Sequence, residues 1–195
     1  MSKGRLEAFS DGVIAIIITI MVLELAVPHD ADLAALRPLI PIFLSYVLSF
    51  VNIGIYWHNH HHLLHLVQRV DGRVLWANSH LLFWLSLIPF GTAWMGENGF
   101  AAWPVAIYGI ILLCAGSAFL ILTRVLIAVD GRESQLAHAV GRDVKGGLSV
   151  LIYFAAIVLT RVNAWISCAL YVLVTVMWLV PDRRIERTLA RALSD

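Results

Sequence analysis

The chain has 195 residues, of which 60% are hydrophobic and 14% are charged, and its formal net charge is +1. Soluble domains contain roughly 45–50% apolar and about 25% charged residues, so this composition excludes a soluble globular protein and indicates an integral membrane protein. The small net charge gives no reason to expect a nucleic-acid partner. Both cysteines lie in apolar runs, where a thiol behaves as a small hydrophobic group.

Six apolar runs predict an all-α, polytopic fold with six transmembrane helices. Each run is close to the roughly 20 residues that cross a hydrocarbon core of about 30 Å. The predicted helices cover residues 9–27, 38–57, 74–95, 101–123, 146–160 and 164–180. Pro89 predicts a kink in the third helix, because proline removes an internal hydrogen bond. Loops and tails account for the remainder, so residues 1–195 are expected to form one transmembrane domain.

The first run carries polar residues that a simple membrane anchor does not need. Asp11 lies near its start, Glu24 near its end and Thr19 between them. Ionisable groups at the membrane centre cost roughly 2.5–3.5 kcal/mol each, so they usually face protein or water and mark a pathway. The run is longer than the roughly 7–15 apolar residues of a signal peptide. It also lacks a small-x-small cleavage site, so we expect a retained helix.

The distribution of basic residues predicts the orientation. If both termini are cytoplasmic, 12 of the 14 Lys and Arg residues lie on that side, and only Arg37 and Arg161 lie outside. The positive-inside rule therefore predicts a multi-pass protein of the cell membrane with cytoplasmic termini and a cytoplasmic loop at 130–145. The tail 182–195 fits either a short amphipathic helix on the inner surface or a solvated tail.

Several motifs point to a known family. The chain opens with Arg5, Phe9, Ser10, Asp11 and Gly12 in the pattern RxxxFSDG, and it carries NHH at 59–61 and SLIPFGT at 86–92. Together these resemble the prokaryotic branch of the lysosomal potassium channel family called transmembrane protein 175, over the whole length. The resemblance implies a homotetramer in which the first helix of each subunit lines a central potassium-conducting pore. Animal members join two such six-helix units, whereas the opening motif occurs once here, so four chains would be needed.

One stripe of the first helix fits the pore-lining role. At 100° per residue, the positions within about 60° of Ile16 are Gly12, Thr19, Ile20, Leu23 and Val27. The resemblance implies that the narrowest rings lie at Ile16 and Leu23, with Thr19 between them; Ile20 lies on the same stripe. These side chains cannot replace the water around an ion as carbonyl filters do, so we expect moderate selectivity for potassium over sodium. From the residues alone, the stripe also fits a lipid-facing or core-packed surface.

Asp11 lies about 140° from Ile16 around the helix, so it is not expected to face the pore. We expect it to accept hydrogen bonds from another helix and so to hold the pore helix in place. Its candidate donors are Asn78, His80 and the histidines at 58–62, including His61. Arg5, Phe9 and Ser10 are assigned the same structural role.

Two other kinds of protein are kept as alternatives. Five of the eight histidines lie within 58–65, and imidazoles at helical spacing can bind zinc or iron, which would suit a histidine-rich membrane metalloprotein. Carboxylates do not cluster with them, so we expect no metal or cofactor and favour interfacial histidines that titrate between about pH 5 and 8. A secondary transporter would show interrupted helices in related halves, and only the third run has an internal proline. No catalytic constellation is evident, so an enzyme is not expected.

Overall fold

The computed structural model describes residues 2–131, 133–140 and 144–179, and every regular element within these residues is helical. The helices are α1 (Lys3–Leu23), α2 (Ile40–His65), α3 (Gly72–Ser86), α4 (Ile88–Glu97), α5 (Ala102–Asp130), α6 (Gln135–Val140), α7 (Val144–Leu159) and α8 (Ala164–Leu179). A 3-10 helix, Leu33–Leu39, leads directly into α2. The all-α prediction is confirmed. The predicted tail 182–195 lies outside the described residues.

Within the described part of the chain, four helical segments are long and apolar enough to cross a membrane, by length and composition. They are Lys3–Leu23, Leu33–His65, Gly72–Glu97 and Ala102–Asp130. Helices α7 and α8 are also apolar but have 16 residues each. That length corresponds to about 24 Å, somewhat less than a hydrocarbon core of about 30 Å. Six crossings therefore require these two shorter helices to span as well.

Several helices differ in length from the apolar runs that predicted them. Helix α1 begins at Lys3 and ends at Leu23, five residues before Pro28. Pro28 disfavours the helical conformation at Val27, so the helix could not have continued to the predicted end at 27. Helix α2 continues to His65, and α5 continues to Asp130. Hydropathy marks only the part of a helix that lies in hydrocarbon, whereas backbone hydrogen bonding continues into the aqueous boundary. The histidine-rich stretch is therefore helical.

The third predicted helix is interrupted at Leu87, between α3 and α4. Pro89 has no N–H to donate to the carbonyl four residues earlier, so the regular pattern stops just before it. Buried hydroxyls form hydrogen bonds just after the interruption, in α4. Thr92 donates to the Ile88 carbonyl at 2.7 Å, and its oxygen lies 2.6 Å from the Ser49 hydroxyl. The interrupted segment is thus tied to α2.

Helix α5 lies at the centre of the subunit and packs against α3, α4, α7 and α8, whereas α1 lies across α2, α3 and α4. Small residues permit the closest helix approaches, as is common in membranes. A methyl group on Gly96 of α4 would come within 2.7 Å of the Ile42 Cα of α2. Gly109 of α5 similarly leaves room for the Tyr171 ring of α8, whose hydroxyl donates to the Val105 carbonyl at 3.1 Å.

Asp71 determines where α3 begins. Its Oδ1 atom accepts hydrogen bonds from the backbone N–H groups of Arg73 at 2.9 Å and Val74 at 3.1 Å. The bond from Val74, followed by the one from the Arg73 side chain, lowers the pKa of this exposed carboxyl below its ordinary value. An ionised carboxylate is also favourable at a helix N-terminus. The cap fixes the start of the helix that carries Asn78.

Candidate pore-lining helix and its contacts

Helix α1 has one buried face and one exposed face. The buried face consists of Leu6, Ser10, Ile14, Ile17 and Met21. These residues turn towards α2, α3 and α4, the helices that α1 contacts. The predicted pore stripe lies on the opposite side, where Ile16 is 58% exposed and Leu23 is 79% exposed. The subunit therefore presents this stripe outward instead of burying it in its own core.

Thr19, at the centre of the exposed stripe, has a defined hydroxyl orientation. Its Oγ1 atom donates a hydrogen bond to the Ile16 carbonyl oxygen at 2.9 Å. A hydroxyl has one donor and two acceptor lone pairs, so this bond occupies the proton and leaves the oxygen able to accept. Thr19 can thus present an oxygen ligand to a cation.

A buried polar chain joins α1 to α3 and α2. Ser10 donates to the Leu6 carbonyl at 2.8 Å and accepts from Asn78 Nδ2 at 2.9 Å. Asn78 Oδ1 lies 2.7 Å from His60 Nε2, which must then carry the proton. All three side chains are fully buried, and His60 Nδ1 has no hydrogen-bond partner among the described residues. We call these three residues the Ser10 network.

A second set of contacts joins α1 to α2 alone. Side chains four residues apart on α1 meet positions four residues apart on α2. The pairs are Lys3 Nζ with the His65 carbonyl oxygen at 3.0 Å, Glu7 Oε1 with His61 Nδ1 at 3.5 Å, and Asp11 Oδ1 with Trp57 Nε1 at 3.0 Å. Successive pairs advance along α1 and retreat along α2, as two antiparallel helices require. This set, the α1–α2 ladder, fixes the rotation of α1.

The structure corrects the predicted partners of Asp11. Its donor is the indole N–H of Trp57, not Asn78, His80 or His61. Asn78 instead bonds the neighbouring motif residue, Ser10. His61 faces Glu7 one helical turn earlier, and His80 Nε2 accepts from Trp84 at 3.0 Å on its own helix. Trp57 ends the second apolar run and was not among the candidate donors, although its indole has an N–H to donate.

The opening motif is divided between two sides of α1. Ser10 and Asp11 point towards the subunit, as described above, whereas Arg5 and Phe9 are exposed. Among the residues that the structure describes, Arg5 takes part in no ion pair. The structural role assigned to Arg5 and Phe9 stays a prediction.

The other histidines of the 58–65 stretch lie along the C-terminal end of α2. The rings of His58 and His62 approach to 4.1 Å between centroids, and His61 stacks on Trp57 at 6.2 Å. Across the described ranges, no group of three or more His, Cys, Asp or Glu side chains is arranged to hold a metal ion. The ring contacts pack this end of α2 beside the α1–α2 ladder.

Comparisons with known proteins identify the family. The model of the family described as endosomal/lysosomal potassium channel TMEM175 matches residues 5–89, which cover α1 from its third residue and all of α2 and α3. A potassium channel of Chryseobacterium sp. strain P1-3 is 51% identical over 189 residues, which cover 97% of this chain and 98% of that protein. This chain belongs to the TMEM175 family. The resemblance drawn from the opening motif is thereby confirmed.

Other TMEM175 proteins extend the comparison. The crystal structure of a lysosomal potassium-selective channel TMEM175 homolog from Chamaesiphon minutus matches with a TM-score of 0.75 at 27% identity, over 91% of this chain and 96% of that chain. The human endosomal/lysosomal proton channel TMEM175 is 34% identical over 116 residues, which are 53% of this chain and 23% of the human protein. The chain is thus a multi-pass membrane protein of an ion-channel family and not an enzyme.

Proposed function

We propose that this TMEM175-family protein is a potassium-permeable cation channel. In this proposal four subunits assemble about an axis, and α1 of each subunit lines the central pore. The bacterial relative that matches nearly the whole chain is named a potassium channel, and the structural neighbour is titled potassium-selective. Both names support potassium as the permeant ion.

The observation that carries the proposal is the outward stripe of α1. The opposite face is held by buried side chains, the Ser10 network and the α1–α2 ladder, so the helix cannot rotate freely. Its free face presents Ile16 and Leu23, which are separated by about 10 Å along the axis, with the Thr19 hydroxyl between them. A lipid-facing surface has no need of that hydroxyl. Four such stripes about an axis form two apolar rings with a ring of oxygens between them.

This arrangement explains moderate selectivity. Apolar rings exclude a fully hydrated ion but cannot coordinate a dehydrated one, so the ion must pass with part of its water shell removed. Potassium holds its water less tightly than sodium does, and its shell is thinned more easily. The Thr19 oxygens supply a local ligand at the point where water is lost. Ile20, on the same stripe, narrows the region between the two rings.

Contacts at the ends of α7 and α8 support six crossings per subunit. The Arg161 guanidinium lies 5.0 Å from the Trp103 ring, and the Phe100 and Trp165 rings are 5.1 Å apart. The turn between α7 and α8 therefore lies beside the start of α5, the longest helix. Tryptophans favour the membrane interface, and Trp103 and Trp165 are both exposed there. Modest local thinning of the bilayer would accommodate two shorter helices.

An even number of crossings puts both termini on the same side of the membrane. The distribution of basic residues favours the cytoplasmic side of the cell membrane for both.

Purified protein in planar bilayers tests the proposal. Wild-type protein should give unitary currents that prefer potassium over sodium. Ile16→Asn should bring the potassium-to-sodium permeability ratio towards about 1, because a polar ring holds hydrated ions of either kind. Leu23→Ala should raise unitary conductance by widening the second ring.

Leu151→Ala provides the matched control, since it makes the same change on an exposed position of α7. It should leave selectivity and conductance unchanged. Unaltered currents in both α1 variants would place the pore elsewhere. Saturable flux without unitary steps would instead show a transporter.

A further inference from the structure

Among the residues that the structure describes, the contacts of α1 leave Arg5 of the opening motif without an ion-pair partner. Lys3 and Glu7, on either side of Arg5, both contact α2. Arg5 is exposed, and it forms no ion pair within the described part of the chain. A conducting pore would have to accommodate this permanent charge.

The geometry of α1 indicates where Arg5 points. Lys3, Glu7 and Asp11 define the side of α1 that faces α2. At 100° per residue, Arg5 lies about 160° from the middle of that side, but only about 20° from Ile16 and in line with Leu23. The α1–α2 ladder thus directs Arg5 to the same face as the proposed pore rings. Arg5 lies about 16 Å from Ile16 towards the N-terminus.

We propose that the four Arg5 side chains form a positively charged ring at the cytoplasmic mouth of the pore and make conduction asymmetric. This inference rests on the proposed channel function. The carboxylates nearest in sequence form no ion pair with Arg5 within the described subunit, because Glu7 faces His61 and Asp11 accepts from Trp57, both on the side of α2; the Lys3 ammonium lies on that side too and offsets one of these two negative charges. At the other end of α1, Glu24 is exposed and carries the opposite charge. The pore therefore has a repulsive inner mouth and an attractive outer one for cations.

The consequence is inward rectification, in which potassium enters the cytoplasm more readily than it leaves. Four charges at about 10 Å from the axis should lower the potassium concentration at the inner mouth by about twofold in 0.15 M salt and roughly fivefold near 20 mM. Outward current depends on that concentration and falls accordingly. Near 1 M salt the Debye length is about 3 Å, and the asymmetry should disappear.

The test changes the charge within channels that are already assembled. Arg5→Cys is made in a Cys114→Ala, Cys168→Ala background and recorded in symmetric potassium chloride at about 20 mM. We expect the outward-to-inward current ratio to rise about two- to fivefold relative to the Arg5 parent. A thiol reagent carrying an ammonium group should restore the original asymmetry, and one carrying a sulfonate should reverse it. Both should act from the side of the N-terminus.

Arg69→Cys is the matched control, because Arg69 is an exposed arginine in the loop between α2 and α3. It should leave the current ratio unchanged before and after either reagent. If the parent conducts potassium but Arg5→Cys and both reagents leave the ratio unaltered, the charged ring is wrong while the channel stands. If Arg5→Cys fails to assemble whereas Arg5→Lys assembles without rectifying, Arg5 is a subunit contact and the inference is also wrong. A parent without potassium current would refute the channel proposal itself.

Discussion

At the scale of single residues, the Ser10 network shows how a short motif positions a helix. A buried polar group without a partner is destabilising, so Ser10, Asn78 and His60 are favourable only as a connected set. Serine suits α1 because its hydroxyl can donate to its own helix while it accepts from α3. The motif therefore specifies how α1 docks on its neighbours.

Asn78→Leu should destabilise the protein by about 1–3 kcal/mol, because it removes the bond that the Ser10 hydroxyl accepts and leaves His60 Nε2 buried without its partner. Ser10→Ala should have a smaller effect: it removes the bonds to the Leu6 carbonyl and from Asn78, but the only side-chain group that it leaves unpaired is the Asn78 amide donor. Thermal unfolding in detergent measures both changes. Ser86→Ala is the control: Ser86 is exposed and bonds only its own helix, at the Phe83 carbonyl. Equal stabilities for Asn78→Leu and Ser86→Ala would contradict the role of the network.

Which side chains of different helices bond each other was the hardest feature to predict from the sequence. The motif indicated that α1 must be held by polar contacts, and Asn78 was among the expected partners. Asp11 pairs with Trp57 because of how far α1 and α2 are shifted along their axes relative to each other. The periodicity of one helix carries no information about that shift. The matching spacing of residues 3, 7 and 11 on α1 and 57, 61 and 65 on α2 was nevertheless present in the sequence. Placing the first two runs side by side as antiparallel helices would have brought these positions opposite one another.

At the scale of helices, the apolar runs predicted the existence and order of the apolar helices. The runs did not predict the helix ends, because α2 and α5 continue beyond the apolar residues into polar ones. Proline chemistry predicted the interruption near Pro89. The close approach of α4 to α2 was not predictable, since Gly96 has nothing in its local sequence to show which backbone it meets.

Gly96→Ala tests that approach. A methyl group would meet the Ile42 backbone, so α2 and α4 must separate, and we expect a destabilisation of about 1–3 kcal/mol. Gly147→Ala makes the same helical substitution where no atom lies within 4 Å, and it should be neutral or stabilising by up to about 1 kcal/mol. Thermal unfolding of both variants in the same detergent gives the comparison. A Gly96→Ala protein as stable as Gly147→Ala would show that the helices are not in contact there.

At the scale of the whole molecule, the subunit is a scaffold that holds one helix with its apolar stripe outward. Helix α5 and its neighbours form the core, and α1 lies across α2, α3 and α4. Composition and basic-residue distribution predicted a multi-pass helical protein, and the motif predicted its family. The assembly depends on contacts between copies, which the sequence of one chain does not show. The proposed tetramer should have the mass of four 21.6 kDa chains by native mass spectrometry.

A cysteine scan along α1 tests the central claim most directly. Single cysteines in the Cys114→Ala, Cys168→Ala background are exposed to silver, a monovalent ion that binds thiolates, during potassium conduction. We predict irreversible block at positions 16, 19, 20 and 23, with no block at 14, 17 and 21 on the buried face. Block that follows the buried face, or block at none of these positions in a channel that conducts potassium, would show that α1 does not line the pore.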